Sequence, residues 1–367
     1  MCNPPELRVI QLTPPGRGAI ATLRVEGPGA VDVVQAQFRS HAGRPLIAFA
    51  VDRLVVGHFG SDSGEEVVVR QCADGAVELH CHGGHATVAM IEEALVAGGC
   101  RRITWPDWVA VKHCDPIAAA ALTALADART QRTAAILLDQ HHGALNRAFD
   151  EIRQSIDRRD ADAANRQIKI LLDRINLGQH LVRPWSVVLA GRVNVGKSSL
   201  INALMGFGRS IVHHTPGTTR DAVTAATAID GWPVELCDTA GLRNSGDALE
   251  RAGIERTEQR LAQADLPILI FDRGETWSAE DQTLLERCPA ALLVHNKCDL
   301  PPAAGDRPAG LSTSALRGDG VDNLLQSIAR RLVPSPPPPG AAVPFTAEQA
   351  AMVYRLAGEV DRLGMIT

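Results

Sequence analysis

Residues 186–200 read SVVLAGRVNVGKSSL. The run from Ser186 to Ala190 has the length and apolar character of a buried strand. Gly191 to Ser198 then fits the spacing G-x-x-x-x-G-K-S, and a helix starts behind it. In such a loop, successive backbone N–H groups and the helix N-terminus face an anion together. Lys197 is placed to reach β- and γ-phosphates, and Ser198 to hold Mg2+. Asn194, Val195, Gly196 and Ser199 complete the cradle.

Working outward, strands and helices alternate from Pro184 to about Val333, which predicts a parallel sheet covered by helices. Further motifs fall in order along it. The segment PGTTRD, Pro216–Asp221, supplies two threonines, and Thr219 is the candidate to complete the Mg2+ shell while its loop senses the γ-phosphate. His213, His214, Thr215, Pro216, Gly217 and Thr218 line the same stretch. PVELCDTAG ends a strand with Asp238, Thr239, Ala240 and Gly241, where a carboxylate suits the outer Mg2+ shell and the Gly241 amide meets the γ-phosphate. ALLVHNKCDL ends another with Asn296, Lys297, Cys298 and Asp299. The Asp299 carboxylate accepts two N–H groups that guanine offers and adenine does not. The Lys297 stem packs along the base, and Ser314, Ala315 and Leu316 support it from the next strand end. Together these predict a GTP-binding domain, with Lys197 and Thr219 among the residues that act on the phosphates.

Lysine usage sharpens this. Of 37 basic residues only Lys112, Lys169, Lys197 and Lys297 are lysines, and two of the four sit inside these motifs. An ammonium and a guanidinium fork are not interchangeable there.

The 367 residues suggest two or three domains, and 45% hydrophobic with 22% charged residues is enough for ordinary packed cores. The formal charge of −5 excludes a generally basic nucleic-acid coat. Neither a membrane span nor a secretory pattern is visible, so a cytoplasmic protein is expected. Eight scattered cysteines form no framework and suit free thiols. His80, Cys81, His82 and His85 invite a metal reading. Alternation in VELHCH sends neighbours to opposite faces, which favours a strand end and a Gly-Gly turn.

The remaining chain divides by pattern. Residues 1–115 read as α/β, with strands in AIATLRV, LVVGHF, EVVVRQ and AVELH and a helix from Ala86 to Ala97. Residues 116–183 read as helices, with stripes Leu145–Phe149–Ile152–Ile156 and Ile168–Leu171–Leu172–Ile175 and a turn at DRRDADA. Residues 184–333 form the nucleotide domain and 334–344 a proline-rich spacer. In residues 345–367, Thr346 caps a helix whose stripe is Met352, Leu356, Val360 and Leu363. A lone helix of this length is marginal, so docking on the central helices is expected. The fold class is therefore α/β: a phosphate-loop GTPase domain inserted in a reduced helical domain, preceded by an N-terminal α/β domain.

GRVNVGKSSLINAL, SIVHHTPGTTRD, DTAGLRNSGDALERAGIER and SALRGDGVDNLL resemble the tRNA modification GTPase family (MnmE/TrmE). VIQLTPPGRGAIATLRVEG and VELHCHGGH resemble its N-terminal domain. The resemblance implies that this domain binds a tetrahydrofolate derivative and forms homodimers. It implies a K+ ion held by Asn194, the His213 and Thr215 carbonyls and the Thr218 side chain. Leu242 stands where many GTPases place a water-orienting glutamine. Glu250 matches the family's acidic residue that orients the attacking water through a second water. The partners implied are tRNA and a flavin-dependent enzyme acting with this chain on wobble uridine.

Four departures from the family stand out. The C-terminal C-x-G-K motif is absent, the chain ending GMIT. RRITWPDWVAVKHCDPIAAAA replaces a P-G-E-F-type segment, and the helical return is short. His213-His214 stands where Thr-Asp is usual. Two function classes follow: a reduced tRNA modification GTPase, or a K+-dependent regulatory or ribosome-assembly switch that has lost the modification chemistry. Folate binding discriminates between them.

Overall fold

The computed structural model describes residues 6–16, 18–60, 64–207, 224–238 and 259–362. The chain forms two compact units, residues 1–119 and 120–367.

The first unit carries β1 (Arg8–Gln11), β2 (Ile20–Glu26), α1 (Ala30–Gln37), β3 (Phe38–Ser40), β4 (Leu54–Phe59), β5 (Glu65–Gln71), β6 (Val77–His82), α2 (His85–Ala97), β7 (Arg101–Arg102) and α3 (Trp105–Lys112). Its strands order as β3-β4-β5-β6-β2-β1-β7 in one sheet. Only β1 and β7 pair in parallel; the other neighbours are antiparallel. Period-two alternation sends Leu23, Val25, Val67, Val69, Val77 and Leu79 into a core with Ile91 and Leu95 of α2. On the other side, Arg24 of β2 is nearly buried and ion-paired to Glu26, Asp74 and Glu78. Burying a guanidinium is tolerable only with such partners.

Alternation also decides the His/Cys segment. Cys81 is buried, His80 Nδ1 meets Thr22 Oγ1 at 3.0 Å, and His82 turns outward to Glu65. Among the described residues no group of three or more His, Cys, Asp and Glu is arranged to hold a metal.

The division between the units falls within α4 (Pro116–Ala126), and the second unit continues with α5 (Gln131–His141), α6 (Ala144–Asp157) and α7 (Ala161–Gln179). Asp160 caps α7 by accepting from Ala163 N at 3.0 Å, so the polar break becomes a tight turn between packed helices. Next come β8 (Trp185–Ala190), α8 (Lys197–Phe207), β9 (Thr224–Ile229), β10 (Trp232–Asp238), β11 (Leu266–Asp272), α9 (Ala279–Arg287), β12 (Leu292–Asn296), β13 (Leu311–Ser312), α10 (Val321–Leu332) and α11 (Ala347–Arg362). The sheet order is β13-β12-β11-β8-β10-β9, parallel throughout except for the edge strand β9. β8 is central, and Val187, Val188, Leu189 and Ala190 are all buried, as a strand covered on both faces requires.

After α10 the chain returns to the helices. Gln140 of α5, fully buried, donates to Ala341 O at 3.0 Å and accepts from Val343 N at 3.1 Å. Arg174 of α7 donates to Ala342 O at 2.9 Å. α11 then packs on α7, with Thr346 and Gln349 capping its start. Its buried stripe is Gln349, Val353, Leu356 and Val360, so Val353 takes the core position expected of Met352. The nucleotide-type sheet is thus an insertion between helices that pack on each other. Their cores merge: Ile136, Leu137, Leu177 and Val343 join one cluster with Trp185 and Trp232.

Candidate nucleotide site

Parallel sheets place their ligand sites at the carboxyl ends of the strands. Here Ala190, Asp238, Asp272, Asn296 and Ser312 end β8, β10, β11, β12 and β13. The loop from Gly191 to Gly196 leaves the central strand and enters α8, whose first residue is Lys197. Lys197 is buried, and its ammonium donates to Gly191 O at 3.0 Å and Arg192 O at 2.7 Å. These bonds hold a buried cation at the mouth of the loop, within reach of any anion seated there. Asn194 has φ 65°, a left-handed conformation that Asn adopts more easily than most residues, and its side chain is exposed. Ser198 and Ser199 are exposed at the helix start, and Val195 is buried beneath them.

Ser198 Oγ donates to a carboxylate oxygen of Asp238, itself buried at the end of β10. A hydroxyl and a carboxylate converging at a phosphate loop are the hard oxygen donors Mg2+ prefers. The donor set therefore fits the ion.

On the other side, Asn296 is 1% exposed and bonds in three directions. Its Nδ2 donates to Val195 O at 2.9 Å, while its Oδ1 accepts from Ala315 N at 3.1 Å and Thr313 Oγ1 at 3.2 Å. Gly196 lies so close to the Asn296 amide that a Cβ there would collide with Nδ2. Lys297 has φ 62° and its Nζ pairs with Asp272 Oδ2 at 2.6 Å. Cys298 N donates to Thr313 O at 2.9 Å, which joins the two loops through backbone. Asp299 Oδ1 accepts from Ser314 Oγ at 2.6 Å, and this hydroxyl holds the Asp299 carboxyl below the usual carboxylate range. The acid is therefore ionised and oriented, with N–H acceptor capacity left for a base edge. Leu316 is almost fully exposed beside Ala315.

The structure thus gathers Asn194, Val195, Gly196, Lys197, Ser198, Asp238, Asn296, Lys297, Cys298, Asp299, Ser314 and Ala315 around one end of one sheet. His213, His214, Thr215, Pro216, Gly217, Thr218, Thr219, Thr239, Ala240, Gly241, Leu242 and Glu250 lie outside the described residues. Sequence reading missed Asp272 and Thr313, which orient Lys297 and Asn296. Asp272 carried a signal, being an acid that ends the apolar run LPILIF at a strand terminus.

Comparison with known proteins agrees with this architecture. Residues 9–104 match the family described as GTP-binding protein TrmE N-terminus, and residues 186–297 match 50S ribosome-binding GTPase. A tRNA modification GTPase MnmE from Prochlorococcus marinus is 32% identical over 368 residues, covering 86% of this chain and 78% of the relative. The protein of the same name from Heliobacterium modesticaldum is 32% identical over 371 residues, covering 87% and 79%. That from a Synechococcus species is 34% identical over 363 residues, covering 86% and 79%.

Proposed function

The chain belongs to the tRNA modification GTPase MnmE family, and from that premise we propose that it couples GTP hydrolysis to modification of wobble uridine in tRNA, together with a flavin-dependent enzyme. It is a GTP-binding and GTP-hydrolysing enzyme. The observation that carries the nucleotide-binding part of the reading is the Asn296 side chain, which ties the phosphate loop at Val195 to the base-side loop at Ala315. A single nucleotide spanning those loops fits that bridge.

Residue roles follow from the motifs, supported by position for Lys197, Ser198, Asp238, Lys297, Asp299 and Ala315. Lys197 moves its ammonium from the loop carbonyls to the β- and γ-phosphates. Asp299 and Lys297 recognise guanine, and the Ala315 amide supports it. Ser198 and Thr219 hold Mg2+, with Asp238 behind Ser198. When bound, the ion neutralises charge that builds on the phosphate oxygens. By their motif, Thr239, Ala240 and Gly241 are assigned to the γ-phosphate and Glu250 to the attacking water, in line with the family resemblance. The Leu242 side chain cannot orient water, having no polar atom.

Asn194, with His213, Thr215 and Thr218 as the resemblance implies, would hold K+, which would supply the positive charge that an arginine finger gives elsewhere. The exposed, left-handed Asn194 supports this placement. The N-terminal α/β domain takes a tetrahydrofolate derivative and forms the homodimer. Its match over residues 9–104 supports the tRNA modification reading, and folate binding decides between that and a switch that kept the domain without the chemistry. No helix among the described residues is long and apolar enough to cross a membrane.

GTP turnover by the purified chain in K+ and in Na+, at matched ionic strength, tests the mechanism. The reading expects faster turnover in K+, and equal rates contradict it. Binding of 5-formyltetrahydrofolate tests the N-terminal role; no binding favours the switch.

A further inference from the structure

Arg192 stands second in the phosphate loop, and its guanidinium has no role in the site as described so far. It faces three carboxylates: Glu275 Oε2 at 3.2 Å, Glu280 Oε2 at 3.6 Å and Asp281 Oδ2 at 3.8 Å. All three lie on the stretch that follows β11 and opens α9. That stretch is itself fixed from two sides. Arg307 donates to the carbonyls of Asp272 at 3.3 Å, Arg273 at 3.1 Å and Glu275 at 2.9 Å. Asp281 accepts from Ser278 N at 3.0 Å and Oγ at 2.8 Å, while Ser278 Oγ accepts from Asp281 N at 3.1 Å. This reciprocal cap pins a carboxylate whose side chain is 8% exposed. Arg307 thus fixes the backbone of this stretch and the cap fixes Asp281, while Glu275 and Glu280, 50% and 69% exposed, complete a bracket of acids around the guanidinium.

Residue 192 also works through its backbone. Its carbonyl is the nearer of the two that hold the Lys197 ammonium. One residue thus joins the bracket, by its guanidinium, to the phosphate-binding lysine, by its carbonyl. An Arg fork meets carboxylates with five donors in one fixed plane, a geometry that lysine's rotating ammonium does not impose. The pairing keeps the guanidinium turned toward the bracket.

We propose that Arg192 is a positioning residue: the bracket of Glu275, Glu280 and Asp281 acts through it to hold the phosphate loop open and preformed for nucleotide. The proposal rests on reading this loop as the GTP site. Preorganisation of this kind lowers the ordering cost of binding. It acts before chemistry, so it shows in affinity and leaves turnover of the bound complex alone.

The test compares wild type, Arg192→Ala, Arg192→Lys, Glu280→Gln and Arg192→Ala/Glu275→Gln/Glu280→Gln, by GDP titration and steady-state GTP hydrolysis. Wild type binds GDP, and Arg192→Ala raises Kd and KM about 10-fold, with kcat within about 2-fold. Arg192→Lys falls between them. The triple variant stays weak, because removing the acids' charge does not restore the tether. Glu280→Gln gives a smaller rise in Kd without altering the bracket's cap, so the idea stays testable if Arg192→Ala melts early. Kd within 2-fold of wild type in every variant overturns the proposal. So does recovery of affinity in the triple variant, which assigns Arg192 to charge shielding. A fall in kcat at unchanged KM also overturns it, by placing Arg192 at the reacting atoms. A wild type that binds no guanine nucleotide fails the functional reading itself and the proposal with it.

Discussion

Asn296 Nδ2 donates to Val195 O at 2.9 Å across 101 positions of sequence, so the base-side loop and the phosphate loop share one buried hydrogen bond. Its other atoms are spent on Thr313 and Ala315. Removing the amide leaves Val195 O and Ala315 N without a partner in a buried place, at a cost of about 1–3 kcal/mol. Asn296→Ala should weaken GDP binding about 10- to 100-fold, measured by titration calorimetry. Affinity unchanged within 2-fold would remove Asn296 from the site.

Asp299 sets the choice of base. Asn in its place presents one donor and one acceptor, which suits xanthine and opposes guanine. Asp299→Asn should lose about 100-fold or more in GTP affinity, since hydrogen bonds to a charged group contribute roughly 1.5–3 kcal/mol each. Binding of XTP should rise, and competition between the two nucleotides reads the exchange. Retained preference for GTP would contradict the assignment.

Gly178 of α7 lies directly under the returning chain, where a Cβ would run into Pro344 O. Both partners are backbone, so neither can move aside as a side chain would. Gly178→Ala should destabilise the second unit by about 3 kcal/mol through overpacking, seen as a lower urea midpoint. No change would mean that the return of the C-terminal helix is not held at this point.

Acid should weaken the fold. Burial depresses the pKa of His180, which stacks on Trp185 at 3.6 Å, and against that the neighbouring Asp265 raises it. Burial likewise lowers the pKa of His295, bonded through Nε2 to Pro308 O at 2.8 Å. Both imidazoles fold in the neutral form, whereas the unfolded chain takes up protons near pH 6.5. Their contribution is therefore complete above about pH 6.5 and is lost as pH falls from there toward the folded pKa values. Urea midpoints at pH 7.5 and 5.5 should differ more in wild type than in His180→Asn. An equal difference in both would release His180 from this role.

The phosphate loop was legible because its chemistry is local: a strand, a glycine-framed turn and a lysine within a few residues. Asn296 and Asp299 were legible as strand-end residues for the same reason. The pairing of Asp272 with Lys297 and the Arg192 bracket were not, because ion pairs between residues some 25 to 90 positions apart leave no periodic trace. In α11, apolar spacing alone favoured Met352. The helix instead turns Gln349 inward, where its Oε1 accepts from Phe345 N at 2.8 Å, and this brings Val353 to the core. Gln140 was invisible for a related reason, being a polar side chain buried to satisfy the returning backbone at Ala341 and Val343. The domain insertion itself could be read, since the proline-rich stretch can only cross back and an amphipathic helix must pack somewhere.

The central claim is tested most directly by mass spectrometry of wobble nucleosides in tRNA from a strain lacking this gene. The account predicts loss of the modified uridine, restored by the wild-type chain but not by Lys197→Ala, whose phosphate-binding ammonium is gone. Unchanged nucleosides in the deletion strain, or restoration by Lys197→Ala, would contradict it.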